Sequence, residues 1–471
     1  MRASFLSIKL IAIIILMALF WVGLIFISGL VSERQGYQQA FLSDIAQSSI
    51  SPQVIISPYI RVPYQEQSTC LNEKNQQYAC TLNRFALIGA DSTGWTAAFK
   101  VSDQAYKRTI YRAVSYQADL SAQGVFQKPE ISGQQYQWDK AEIVLPVHDP
   151  RGLDNNPSIK ILNKSYQFEM SPQGSAGSGF DFMAISVQQR PELLSAIQNG
   201  FKFNLQVNSA GLGKFTLIPT SRQVTYAARG NWADAKYDGQ SLPYEKTSSR
   251  QRFTAQWKNI ALGQQNLNKL ASCSSNDCIR QLGNADASHE AAYSSDGRAE
   301  KTGLSTEFLA PVNAYTQTDR ALKYGIVIIL ITFGCFFLFE VLKGLRIHPV
   351  QYSLVAVAQG IFFVLLLSIS EYYAFAWAYA AAAAACVSLM TWYLCFVMNG
   401  VKTAALFGTI LSALYAVMYL LLQSSGKTFL IGSVISFIAL AAVMFLTRHV
   451  DWYQLSSRPE RGPKPDAPQQ S

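Results

Sequence analysis

Two kinds of residue pattern divide this chain. Leu10 to Ser32 carries no charged residue, and at about 1.5 Å per residue it is long enough to cross a hydrocarbon core of about 30 Å. Near the other end, residues 324–342, 352–370, 374–398, 403–422 and 428–447 form five further apolar runs of about 19 to 25 residues each. The pattern predicts an α+β membrane protein with six spans, one before and five after a long polar block at residues 33–322. A cleaved leader would have a shorter apolar core and a better cleavage site than Phe26-Ile27-Ser28-Gly29, so the first run is expected to stay as an anchor.

Inside the block the periodicity changes. Tyr37, Ala40, Phe41, Ile45 and Ala46 keep helical spacing, which extends the first helix outward over Arg34 to Ser49. After Pro52, alternation takes over. Ile110, Arg112, Val114, Tyr116, Ala118 and Leu120 share one face, as do Phe201, Phe203, Leu205 and Val207, and then Phe253, Ala255 and Trp257. Glu142 to Val147 and Lys214 to Ile218 read as further strands. Two sheets packed face to face suit this block, with a division into two lobes expected near Ser171 to Gly179. Residues 266–306 are rich in Ser, Asn and Ala and read as partly helical or loose. Residues 456–471, with four prolines, read as a disordered tail within a terminal segment 448–471.

Charge then orients the spans. Six spans bring residues 1–9 and 448–471 to one side. Arg2, Lys9, Lys343, Arg346, Lys402, Arg448, Arg458, Arg461 and Lys464 gather there, whereas the short turns opposite offer only Lys427 and the acidic Glu371. Arg320 and Lys323 run against this count. The termini are therefore expected in the cytoplasm and the 33–322 block beyond the membrane. Cys70 with Cys80, and Cys273 with Cys278, are close enough to form local disulfides in an oxidising space, while Cys335, Cys386 and Cys395 fall in the helices. Only 15% of the 471 residues are charged, a deficit that the apolar runs explain. The net charge of +9 is not gathered into the basic clusters a nucleic-acid binder would carry.

Catalytic signatures are incomplete. His289-Glu290-Ala291-Ala292-Tyr293 lacks the second histidine of a zinc-protease helix. Ser274-Ser275-Asn276 and Lys301-Thr302-Gly303 match two penicillin-recognition motifs, but no Ser-x-x-Lys nucleophile lies upstream in the block. Gly211-Leu212-Gly213 lacks the third glycine of a dinucleotide loop. No cofactor or metal is expected, and the chain reads as a non-enzyme. Glu340 and Glu371 sit at span edges, where headgroups and water are the expected surroundings rather than an ion relay. Gly408, Ser412 and Ala416, and the run Ala380 to Ala385, suit close helix packing. Pro349 suits a helix start, and Tyr324, Tyr352, Trp452 and Tyr453 suit an interfacial belt.

The helix-end segments carry a family resemblance. TDRALKYGI and FFLFEVLKGLRIHPVQY within residues 318–352, Ser370-Glu371, and FLTRHVDWY at 445–453 resemble the CreD family of bacterial inner-membrane, or cell-envelope integrity, proteins. Fainter similarity covers residues 31–45, 51–64 and Asp149-Pro150-Arg151-Gly152, and residues 264–304 look like a divergent insertion. The resemblance implies a multi-pass inner-membrane protein with a large periplasmic domain, associated with envelope stress under a two-component system that also touches β-lactam response and colicin tolerance. It implies no reaction. The matching polar positions are Asp319, Arg320, Lys323, Glu340, His348, Gln351, Glu371, Arg448 and Asp451. The expected partners are the lipid bilayer and an envelope protein or cell-wall-related component. Transport, with the domain as an adaptor, is the rival expectation.

Overall fold

A computed structural model describes residues 2–71, 75–108, 110–131, 136–171, 180–233, 235–249, 251–258, 260–287, 301–309, 314–343, 347–397 and 400–423, with scattered positions between 433 and 448. The chain forms two compact units: Gln39–Pro311, and residues 1–38 together with Val312–Ser471.

The second of these is helical. Helix α1 (Arg2–Ser48) is unbroken, and its last ten residues belong to the other unit. Helices α5 (Ala314–Lys343), α6 (Pro349–Ser370), α7 (Phe375–Val397) and α8 (Val401–Gln423) follow the β-rich unit, which contains α2 (Leu193–Asn199), α3 (Ile260–Ser272) and α4 (Asn276–Ala287). Among the described residues, five helices, α1 and α5–α8, are long and apolar enough to cross a membrane. The sixth expected span, 428–447, lies mostly outside the described residues, although the positions described there are helical. Consecutive helices from α5 to α8 pack together and α8 returns to α5, with the Phe336 and Phe407 rings edge to face at 5.0 Å. With lipid as the alternative surroundings, such packing is driven by shape and by hydrogen bonds between helices. Ile14, Leu19, Val22 and Phe26 of α1 stay exposed while Phe20, Leu24, Ile27 and Val31 are buried.

The other unit is built on two sheets. Its strands are β1 (Gln53–Ile56), β2 (Tyr59–Leu71), β3 (Gln77–Gly89), β4 (Ser92–Arg108), β5 (Tyr111–Phe126), β6 (Glu142–Val147), β7 (Ser158–Ile161), β8 (Lys164–Gln167), β9 (Glu169–Met170) and β10 (Asp181–Ser186). After helix α2 (Leu193–Asn199) come β11 (Phe201–Leu212), β12 (Lys214–Ile218), β13 (Gln223–Gly230), β14 (Ala235–Gly239), β15 (Glu245–Ser248) and β16 (Phe253–Lys258). Helices α3 (Ile260–Ser272) and α4 (Asn276–Ala287) and strand β17 (Leu304–Phe308) complete the unit. One sheet runs β14-β17-β12-β1-β6-β10-β9, with β2 also on β6 and β3 on β2; the other runs β15-β16-β13-β4-β5-β11-β7-β8.

Burial explains the two sequence patterns. In the eight-stranded sheet one face meets the core and the other meets water, so β11, β13 and β16 alternate buried and exposed. Arg112, unlike the other residues of its expected face, is exposed near the strand end, 3.7 Å from Asp103. The nine-stranded sheet is covered on both faces, by the other sheet and by α3 with α4, so residues 54–56 of β1 and 143–147 of β6 are apolar and buried without alternation. Phe99 sits between the sheets, 5.4 Å from Phe215 and 5.1 Å from Phe308.

The expected division into two lobes does not hold. Strands from either side of residues 172–179 pair directly, β5 with β11, β1 with β12 and β4 with β13, because each sheet needs both halves of the sequence to complete its core. The stretch read as partly loose supplies α3 and α4; residues 288–300, including His289 and Glu290, lie outside the described residues. Cys70 is joined to Cys80 across the β2–β3 hairpin, and Cys273 to Cys278 across the α3–α4 turn.

Candidate functional site

Among the described residues of the helical unit, polar side chains form two end clusters and a central pair, besides smaller contacts. At the α5–α6 turn, Pro349 occupies the first turn of α6 and His348 caps it: His348 Nδ1 accepts from the Val350 amide at 3.3 Å, while Gln351 Oε1 accepts from the His348 amide at 3.0 Å. This is a capping box with histidine in the role usually held by Ser or Thr. The Tyr352 hydroxyl donates to Glu340 Oε2 at 3.1 Å, and the Ile347 amide donates to Oε1 at 3.4 Å. Tyr352 is fully buried, its ring edge-on to Phe333 and Phe336. Glu340 thus closes the turn between two helices.

At the opposite ends of α5 and α6, Arg34 of α1 lies 3.5 Å from Glu371, and the Tyr315 hydroxyl donates to the same carboxylate oxygen at 3.4 Å. The Glu371 side chain is only 10% exposed, so it is shielded rather than bathed in water. Asp319 and Lys323 pair at 2.8 Å one turn apart; Arg320 is exposed and Tyr324 half-buried. Helix α6 spans about 33 Å at about 1.5 Å per residue, so Glu340 and Glu371 do not share a site. Arg448 lies over the Phe445 ring at 4.3 Å; Asp451, Trp452 and Tyr453 lie outside the described residues.

The central pair was not legible in the sequence as a functional feature. Gln359 Nε2 donates to Thr332 Oγ1 at 2.6 Å, and Thr332 donates back to the Ile328 carbonyl. Gln359 is 1% exposed, and its Oε1 has no partner among the described residues. An amide inside an otherwise apolar run was the available signal.

A further constellation, at the Asp149-Pro150-Arg151-Gly152 stretch legible in the sequence only as a resemblance, lies where α1 ends. Asp149 caps the turn after β6 by accepting from the Arg151 amide, and it receives the Ser51 amide at 3.0 Å and the Ser51 hydroxyl at 2.8 Å. The Arg151 guanidinium grips both Asp149 oxygens at 2.8 Å and donates onward to the carbonyls of Gln47 at 2.6 Å and Ala46 at 2.9 Å. Those carbonyls belong to the last turn of α1, where acceptors lack helical donors and the helix dipole favours a cation. Phe41 and Ile45 pack on Ala113 and Leu212 beside it. Burial pushes the Asp149 carboxyl up, but hydrogen bonds from Arg151 and Ser51 outweigh it and hold the group below its ordinary value. Burial pushes the neighbouring His148 down, and Asp181 is pushed up by burial despite the attraction of Arg280.

Deeper in the same unit, buried Arg61 pairs with Glu142, donates to Asn276 Oδ1 at 3.1 Å and lies over the Phe85 ring. It ties the nine-stranded sheet to the start of α4. The residues that echoed penicillin-recognition motifs have structural partners instead: Ser274 accepts from Arg84, and Lys301 pairs with Asp238 at 2.6 Å. Among the described residues, no three His, Cys, Asp or Glu side chains gather as a metal cluster.

The sequence pattern of the family described as Inner membrane protein CreD matches residues 5–453, which takes in both units. This chain belongs to the CreD family. A curated CreD relative, the inner membrane protein CreD of Escherichia coli strain K12, is 28% identical over 92% of this chain and 91% of its own length. Arg34, Asp149, Arg151, Glu340, Gln359 and Glu371 all lie inside the stretch that matches the CreD pattern. Among solved structures, two of an M1 zinc metallopeptidase from Deinococcus radiodurans overlap 36% of this CreD chain at 8% identity. They overlap 39% and 38% of the peptidase, less than half of its length, with TM-scores of 0.19 and 0.18, too low to carry an argument.

Proposed function

We propose that this inner-membrane protein is a non-catalytic support of the cell envelope. In this reading six spans keep both termini in the cytoplasm, and the two-sheet domain stands in the periplasm, where it binds an envelope partner during stress. The observation that carries the reading is the pair of disulfides, Cys70–Cys80 and Cys273–Cys278, both within the β-rich unit, whereas the cysteines of the apolar helices are free. Disulfides persist in oxidising compartments. The cation count of the helix ends points the same way. Reporter fusions at residue 200 test the placement: activity of a cytosol-only reporter there would overturn it. Cross-linking through the β-rich unit in stressed cells tests the partner, and capture of nothing would remove the mechanism.

A second reading, ion-coupled transport, draws on Gln359, whose unpartnered oxygen sits inside the apolar helices. Glu340 and Glu371 favour the first reading, since each is held by partners at a helix end. Glu340→Gln and Glu371→Gln variants with wild-type envelope behaviour count against transport; loss of that behaviour in chains that insert normally favours it.

A further inference from the structure

The water-facing side of the eight-stranded sheet has a chemistry of its own. Register aligns Lys160, Asn204, Gln123, Gly94, Thr225 and Lys258 in one row across six strands. The next row is Ser158, Gln206, Ser121, Thr96, Ala227 and Gln256, ending at Glu245 on β15. Amides and hydroxyls fill the middle of both rows, where an exposed sheet ordinarily carries charges. Gly94 and Ala227 keep the floor low over β4 and β13. The floor lies between β5 and β16, three strand steps of about 4.8 Å apart, so the trough is about 14 Å wide.

Two features mark what this trough fits. At one end it opens into a hollow of about 1170 Å³ lined by Lys128, Lys160, Lys202, Asn163 and Asn199. None of the three lysines makes an ion pair among the described residues; Glu245 ends the second row on β15 at the opposite edge, Asp119 stands outside both rows, and Asp91, near the hollow, accepts from Gln127 at 3.3 Å. At the opposite rim the exposed Tyr244 ring is fixed by its hydroxyl, which donates to Gln256 Oε1 at 2.8 Å. On the hollow's rim, Leu162 is exposed at φ +48°, a left-handed conformation that is strained for a branched side chain.

Amides and hydroxyls donate and accept at once, which matches the hydroxyls of a sugar chain, while exposed Tyr and Leu side chains match the apolar faces of its rings. Unpaired lysines add complementarity to acidic substituents. We infer that the outer face of the eight-stranded sheet binds an extended glycan strand bearing carboxylate groups, with the carboxylates at the Lys128, Lys160 and Lys202 end. The inference deepens the reading of the β-rich unit as a partner-binding domain and rests on it.

The test uses the full-length chain in detergent and three fluorescent probes: oligogalacturonate, neutral dextran and polyglutamate. Oligogalacturonate is expected to bind at least about tenfold more tightly than the other two, and a K160E/K202E pair or A227W to weaken it by about tenfold or more. K164E, on the same hairpin but outside the hollow, is expected to bind as the parent does and checks that added negative charge alone is not the cause. Equal binding of polyglutamate, no binding of oligogalacturonate, no effect of K160E/K202E and A227W, or equal loss in K164E would each overturn the inference. A protein partner captured in cells without glycan binding removes this inference alone. Glycan binding by a chain whose domain proves cytosolic removes the periplasmic reading and leaves the site.

Discussion

Replacing Arg151 with alanine isolates the junction at the end of α1. The change deletes two charge-assisted hydrogen bonds to the Ala46 and Gln47 carbonyls and the two-pronged pair with Asp149, whose side chain is 6% exposed. Hydrogen bonds to charged groups contribute about 1.5–3 kcal/mol each. Arg151 is 48% exposed, so solvent screening discounts the total, and Ser51 still serves Asp149. A loss of about 2 kcal/mol from the local opening free energy of the last α1 turn follows, equivalent to about 30-fold faster amide exchange there. Hydrogen exchange followed by mass spectrometry of peptides spanning residues 41–49, in full-length protein, reads this directly. Arg151→Lys keeps the charge but cannot fork between two carbonyls and a carboxylate, so its exchange should fall between parent and alanine. Unchanged exchange in Arg151→Ala would refute the energetic role of the junction.

The same junction sets a pH window: the Asp149 carboxyl lies below its ordinary value when folded, so its stabilisation is full above about pH 4 and fades as pH falls through the lower folded value. After correction for intrinsic rates, exchange at residues 41–49 should therefore rise as pH falls below about 4 on account of Asp149, while the buried His148, held below its ordinary value, adds a separate rise that begins below about pH 6.5. Gly152→Ala places a Cβ 2.3 Å from the Ala210 carbonyl oxygen, a backbone atom with no room to yield, and should cost about 2 kcal/mol or more in thermal unfolding of the β-rich unit. Gln359→Leu removes an amide whose oxygen is already unsatisfied, so thermal stability in detergent should stay within about 1 kcal/mol of the parent; a larger loss would mean that the Thr332 bond matters more than argued. Cys70→Ser with Cys80→Ser should hasten proteolysis between residues 65 and 83, where β2 and β3 are exposed, while the melting of the buried core is unchanged.

The membrane helices were legible because a continuous apolar run has few alternatives, and the outward extension of α1 was legible from Phe41 and Ile45 at helical spacing. Strands of the eight-stranded sheet were legible for the opposite reason: one wet face imprints alternation on Phe201 to Val207 and Phe253 to Trp257. Pairing was not. Nothing in Val54-Ile55-Ile56 points to Phe215 to Ile218 as its parallel neighbour, because strands buried on both faces lose the alternation that would orient them. The motif around Asp149 stood out as a resemblance, but its role was hidden: the acceptors Arg151 reaches are backbone carbonyls, which every residue carries. Glu340 and Glu371 were legible as helix-end residues, but their hold by Tyr352 and Arg34 was not, since those partners come from other helices or turns.

The position of β17 bears on how such a chain is made. This strand lies between β14 and β12 inside the nine-stranded sheet, yet it ends at Phe308, and α5 begins at Ala314. Ribosomal synthesis therefore delivers the last strand of the sheet to be made into an interior position, after both its neighbours, β14 and β12, have waited with open edges. Maturation of the two-sheet unit and entry of α5 into the bilayer become nearly simultaneous events, so a delay in either would leave the nascent polypeptide open to chaperones and proteases.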